Sequence, residues 1–160
     1  MAAEYSANAV QTVAVNAPVV FTESPVPCRR GIVFHRDESG IFRLANNAAS
    51  SPCGCGCGCR KVYESLYEVT FHGNIAIAEG GTAGPIQLSV SIDGEPDPSS
   101  TMIVTPAAVG DFQNVGAEII VAVPSICGCE SISVRNTGTQ PIDVQNANLT
   151  INYLGLRRVL

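Results

Sequence analysis

The chain has no tryptophan, a single lysine (Lys61) and only two histidines, His35 and His72. Charged residues make up 14% of its 160 positions and aromatics 6%. Each shortage removes a class of function. Nine basic against fourteen acidic residues give a net charge of −5 and nothing that resembles a phosphate-binding surface, so no nucleic-acid partner is expected. Few aromatics and no tryptophan count against a sugar-stacking platform. No apolar run reaches the length of a membrane span, so no membrane partner is expected. The opening residues, MAAEYSANAVQTVAV, lack a basic n-region and a long apolar h-region. They read as a chain made in the cytoplasm without a signal peptide, reaching the outside by lysis or within an assembled particle. There is no G-x-S-x-G elbow, H-E-x-x-H pair or P-loop. His35-Arg36-Asp37 spells a kinase triplet without the glycine-rich loop, strand lysine or D-F-G that would accompany it. A Cys–His nucleophile pair would meet only in the fold. The expectation is no enzyme and no cofactor.

With 46% hydrophobic residues and little charge, the chain does not have the composition of disorder. Its length suits one domain able to bury a core. The pattern is β throughout. Tyr63 to Asp93 reads as two strands joined by a Gly-rich turn at Glu79–Pro85. Tyr67, Val69 and Phe71 share one face, with Glu68, Thr70 and His72 on the other. Ile86, Leu88, Val90 and Ile92 then alternate with Gln87, Ser89, Ser91 and Asp93, the mark of a half-buried antiparallel strand.

Further strands are expected at 4–15, with Val13 and Val15 on one side, and at Val19–Thr22. Pro25 and Pro27 then mark an edge or a crossing loop. Gly31–Arg36 and Ile41–Leu44 form a hairpin around Asp37–Gly40. Met102–Thr105 and Glu130–Asn136 add strands, and Asn114–Val123 reads as one buried on both faces or nearly so. A short piece at Ile142–Val144 precedes the closing strand, Asn148–Leu154. Eight to ten short strands without helical periodicity imply an all-β, antiparallel β-sandwich of jelly-roll type. The expected core is Val69, Phe71, Leu88, Val90, Ile92, Ile119, Val121, Ile132, Val134, Leu149 and Ile151. Residues 61–160 form the sandwich core. Residues 1–60, N-terminal strands plus a Cys/Gly-rich loop, are either an arm or part of it.

The succession EVTFHGNIAI, PIQLSVSIDGEPDPSS, VPSICGCESISVRNTG and NANLTINYL, over roughly residues 60–154, resembles the C1q/TNF-like jelly rolls of Firmicutes. These include the C-terminal domains of collagen-like spore-surface glycoproteins and related phage and prophage structural proteins. The resemblance implies a tight homotrimer whose work is structural display. The Gly-X-Y stalk is missing, which tilts the reading toward a virion component of capsid-decoration or head-fibre type, with a capsid protein among its partners. The cysteines tilt it toward a spore coat or a cross-linked filament subunit. A carbohydrate- or receptor-binding jelly roll is the remaining alternative.

Seven cysteines are the concentrated chemistry. Cys53, Cys55, Cys57 and Cys59 alternate with glycine, Cys127 and Cys129 form a second C-x-C, and Cys28 stands apart. Thiolates suit a soft metal, although structural zinc sites space their ligands as C-x₂₋₄-C. Disulfides are the second reading. An i, i+2 pair closes a strained ring, so the 53–59 run pairs more naturally with Cys127, Cys129 or a symmetry mate, in an oxidising setting. Reduced thiols in a loop are the third. Asp93-Gly94-Glu95-Pro96-Asp97 offers carboxylates without the EF-hand spacing and reads as a β-turn. Arg29-Arg30 and Arg157-Arg158 are small basic pairs, either solvated or docked on an acidic partner. Serine substitution of Cys53, Cys55, Cys57 and Cys59 is expected to leave the β-sheet circular dichroism intact and weaken the assembly; loss of the β signal would instead make these cysteines part of the core.

Overall fold

The computed structural model describes residues 2–28, 31–47, 62–125 and 129–159. In chain order the strands among them are β1 (Ala2–Ala7), β2 (Gln11–Val13), β3 (Glu23–Val26), β4 (Val33–His35), β5 (Phe42–Ala45) and β6 (Val62–Ile77). There follow β7 (Ile86–Ile92), β8 (Glu95–Pro96), β9 (Met102–Val104), β10 (Gln113–Pro124), β11 (Cys129–Asn136) and β12 (Ile142–Val159). A 3-10 turn, Pro98–Ser100, is capped by Asp97 Oδ1, which accepts from Ser99 N at 2.8 Å.

The strands form two antiparallel sheets. The long sheet runs β10-β6-β12-β1-β3, with β2 also on β12. The short sheet runs β4-β5-β11-β7-β8, with β9 also on β7. From β5 onward the chain switches sheets repeatedly, β6, β10 and β12 entering the long sheet and β7 and β11 the short one. The strands either side of the Gly-rich turn at residues 79–85 therefore lie in different sheets. That wrapping is a jelly roll: it covers the inner face of each sheet with the other.

The alternation has the expected physical result. Ten of the eleven expected core residues are buried, and Ile92, at the end of β7, is half-buried against the same cluster. Aromatic residues from the N-terminal strands join them. Phe21, Phe42 and Tyr5 pack ring to ring, with centroids 5.3 Å apart for Phe21–Phe42 and 4.7 Å for Tyr5–Phe42, a geometry that adds to simple area burial. Buried Asn136 is fully used: its Nδ2 donates to Val13 O and Gln140 O, and its Oδ1 accepts from Gly138 N.

Five local expectations change. β7 is not wet along its polar side: Ser89 and Ser91 are buried as well as Leu88 and Val90, and Ser89 Oγ is hydrogen-bonded to the Thr101 and Thr137 hydroxyls. Val19–Thr22 is not a ladder strand. It lies beside β11 through Val19 N to Val134 O at 2.8 Å, next to an isolated bridge from Pro18 to Arg135, and Phe21 bridges to Ser39 in the turn between β4 and β5. The strand comes four residues later, as β3, and includes Pro25. It is an outermost strand, where a missing N–H costs least. Asn114–Val123 is not buried on both faces: Ile120 is 53% exposed. The two C-terminal pieces are one strand, β12, which carries register irregularities at 145–148 and 153–155. The second includes Gly155 with φ +136°, a region that favours glycine. Val15, expected on the same side as Val13, is exposed where Val13 is buried.

Val90 is fully buried opposite Val134. Val90→Asp is expected to abolish folding, because an unpaired carboxylate between the sheets costs several kilocalories per mole against a total stability of about 5–15 kcal/mol. Circular dichroism checks this; a folded Val90→Asp protein would mean the faces of β7 are reversed.

Candidate functional site

One end of the sandwich gathers the described segments that flank the cysteines. Tyr63, at the start of β6, is tied through its carbonyl oxygen to Asn46 Nδ2 at 3.3 Å and to Ser125 N at 3.1 Å. Asn46 Nδ2 also donates to Val123 O at 2.6 Å, and Asn47 N to Ser65 Oγ at 2.7 Å. Cys129 sits opposite Ala45 and is half-buried. Tyr67 Oη donates to Ala45 O at 2.5 Å and more weakly to Ile32 O at 3.4 Å. Burial, then the nearby Tyr153 hydroxyl and Cys28, push the Tyr67 hydroxyl far above its ordinary pKa. Cys28 is half-buried against the core, and its backbone hydrogen-bonds to the Tyr5 hydroxyl. Cys28 and Cys129 thus belong to the same end. Cys53, Cys55, Cys57, Cys59 and Cys127 lie outside the described residues, as do Arg29 and Arg30.

The outward face of the long sheet has two characters, both set by register. Opposed residues share a face, so the alignment of Ala122 with Leu66, and of Leu66 with Gly155, forms an apolar row. Ile120, one row in, and Leu154, the residue skipped between Tyr153 and Gly155, are each 53% exposed. Away from this end the same face is polar. Glu68 Oε2 accepts from Asn152 Nδ2 at 2.8 Å, Glu4 Oε1 from Asn148 Nδ2 at 2.7 Å, and Glu23 Oε2 from Ser6 Oγ at 3.3 Å. His72 is exposed there, between Gly116 and Asn148, as the alternation of β6 requires.

The remaining candidates have local roles. His35 stacks on Phe42 at 4.3 Å, and its Nε2 is 2.8 Å from Ser39 O. His35 and His72 belong to different sheets, β4 and β6. Arg157 pairs with Glu64 at 2.6 Å, and Arg158 is exposed. Among the described residues, no group of three or more His, Cys, Asp or Glu is placed to hold a metal ion.

The acidic turn has a partner that the sequence does not announce. Asp93 (φ 50°) accepts from Ser131 N at 2.8 Å and Ser131 Oγ at 2.9 Å, and shares a hydrogen bond with Glu130. That bond, with burial and the adjacent Asp93 charge, pushes the Glu130 carboxyl up to about 7. The Glu130 bond and the Ser131 donors hold Asp93 below its ordinary value. The two carboxyls share one proton near neutrality.

No protein-family model matches the chain, and no curated protein matches it. Solved structures do. An Eiger TNF from S. frugiperda superposes with a TM-score of 0.61 at 10% identity, over 97% of this chain and 92% of that one. The PRD1 vertex protein P5 gives 0.46 at 14% identity over 96% of each chain. Pika GITRL gives 0.44 at 12%, also over 96% of each. With its two wrapped antiparallel sheets, the chain has the fold of a TNF-like jelly roll.

The shared proton predicts a pH dependence. Glu130 holds its proton in the native state above the pH at which the unfolded chain releases it, so its contribution to stability is lost as pH rises from about 4.5 through about 7. Asp93 acts in the opposite sense, its contribution fading only as pH falls through its lowered value. Between pH 5 and 8 (~3 units spanning this window) Glu130 decides, and Tm is expected to fall. Glu130→Gln keeps an amide donor for Asp93 and should flatten that slope in a thermal-melt series. An unchanged slope would place the titrating group elsewhere.

Proposed function

We propose that this chain is a non-enzymatic structural protein that self-associates, as a homotrimer, on the surface of a larger particle. The observation that carries the reading is the apolar end of the long sheet. Ile120, Ala122, Leu66 and Leu154 stand together on a face that is otherwise mostly polar, carrying Glu68, Thr70, His72, Asn148 and Asn152. Contiguous exposed apolar surface rimmed by polar groups marks an interaction site. A second copy of the same strip is its simplest cover. A threefold arrangement closes on itself, which suits display and prevents open growth.

The particle is read as a phage virion, with the chain as a capsid-decoration or head-fibre component beside a capsid protein. The support is the sequence resemblance without a collagen stalk. Neither nucleic acid nor membrane enters this reading. The placement of Cys28 and Cys129 at the same end as the residues flanking the 53–59 run favours one second reading, a filament or spore-surface subunit joined through cysteines.

Native mass spectrometry of the full chain, with and without reductant, tests the proposal. A reductant-insensitive trimer is expected. Ile120→Glu and Leu154→Glu should each convert it to monomer, with unchanged circular dichroism because both side chains are exposed. A wild-type monomer at high micromolar concentration would overturn the reading. Long oligomers that collapse with reductant would replace it with the cross-linked filament.

A further inference from the structure

We propose that the apolar end of the long sheet is covered, in the assembly, by the outer face of the short sheet at β4 and β5 of a neighbouring copy. The inference rests on the self-association proposed above and names the surface that meets the strip. A strip laid on its own copy is an isologous contact, which joins copies in pairs, whereas a threefold ring repeats one contact between two different surfaces. Strip on strip would also crowd like charges. Glu68 stands directly beside Ile120, and Glu118 lies two positions from Ile120 on the same face of β10. Neither has a cationic partner: Glu68 accepts from the neutral Asn152, and Glu64–Arg157 is the one ion pair among the described residues. The strip therefore calls for a cover that is both apolar and positively charged.

The short sheet has that character on its outer face where β4 meets β5. Val33, Phe42 and Leu44 are buried, so by alternation Phe34, Ile41 and Arg43 project the other way. Phe34 and Arg43 are aligned across the ladder, and Ile41 lies two positions from Arg43. Phe34 is 51% and Ile41 48% exposed, close to the values for Ile120 and Leu154. Arg43 is exposed, with no hydrogen-bond or ion-pair partner among the described residues. Arg135, on the same face of β11, has no carboxylate either: it donates to Ser133 Oγ and Asn16 O. Between them stand only the small Ser131 and Ser133 of β11. The nearby carboxylate, Asp93, is already taken by Ser131 and Glu130, and Arg36 is offset by its neighbours Asp37 and Glu38.

Apolar side chains with unpaired guanidiniums on one sheet thus match apolar side chains with unpaired carboxylates on the other. The two surfaces lie on opposite sheets, so each copy offers one to the copy before it and the other to the copy after it. Burial of Phe34 and Ile41 against Ile120 and Leu154 supplies the affinity. The charges choose the partner surface, favouring β4–β5 on the strip and disfavouring strip on strip.

Native mass spectrometry of the full chain separates the two arrangements. Arg43→Glu is expected to weaken association by at least ~10-fold, because it sets a third carboxylate against Glu68 and Glu118. The decisive sample is an equimolar mixture of the Arg43→Glu and Ile120→Glu proteins. Each is impaired alone, but the first keeps the strip and the second keeps the β4–β5 face. The mixture is expected to give a one-to-one pair that neither protein forms by itself. Both substituted side chains are exposed, so the circular dichroism of each should match wild type. Undiminished assembly of Arg43→Glu, or no pair in the mixture while wild type assembles, would overturn this inference alone. A wild-type protein that stays monomeric would overturn the association surface itself.

Discussion

The pairing of β6 with β12 is the constraint on which everything else depends. These are the longest strands, and they are matched antiparallel from Val62 with Val159 to Ile77 with Ile142. Their inner faces supply Tyr67, Val69, Phe71, Ile75 and Ile77 on one strand, and Ile142, Val144, Leu149 and Ile151 on the other. A slip of one residue would turn each set outward. β10 continues this frame on one side and β1 on the other, so the same register dictates the outer face. Leu66 and Ala122 fall in one row, Thr70 and Glu118 in another, and His72 meets Gly116. Core and contact surface are two readings of one alternation.

That alternation is why so much of the fold could be read from the chain. Period-two patterning in Asn148–Tyr153 is a direct imprint of a sheet with one dry face, whereas the same patterning in Ile86–Asp93 misleads, because small Ser89 and Ser91 are buried beside the apolar residues. The reading weakened where another force intervened. Ile119-Ile120-Val121 looked doubly buried because three apolar residues in a row hide which one faces out. β12 looked like two strands because Gln145 to Asn148 interrupts the pattern, although the backbone passes through that irregularity. Pro25 and Pro27 left an edge and a crossing loop both open, and the outermost position of β3 is the first of these. Phe21 and Phe42 went unremarked as core because they belong to stretches too short for periodicity to speak.

The surface features were less legible, since they depend on contacts distant in sequence. Asp93 and Glu130 are brought together by β7 and β11, with nothing in either local stretch to signal a shared proton. The convergence of Cys28, Cys129 and the anchors of the cysteine run follows from three connections that end on the same side. Only the outward position of His72 was visible in advance, because it needs no more than a count along one strand.

The junction at Tyr63 also has a mechanical meaning. A tether attached ahead of Val62 pulls along the axis of β6, a strand hydrogen-bonded on both sides by β10 and β12. Antiparallel ladder bonds run perpendicular to the strand, so such a load shears many of them at once instead of unzipping them one at a time. Asn46, bridging Tyr63 O and Val123 O, spreads the same pull into β5 and β10 at its point of entry. A module held by this end is loaded in the direction in which its sheet is strongest.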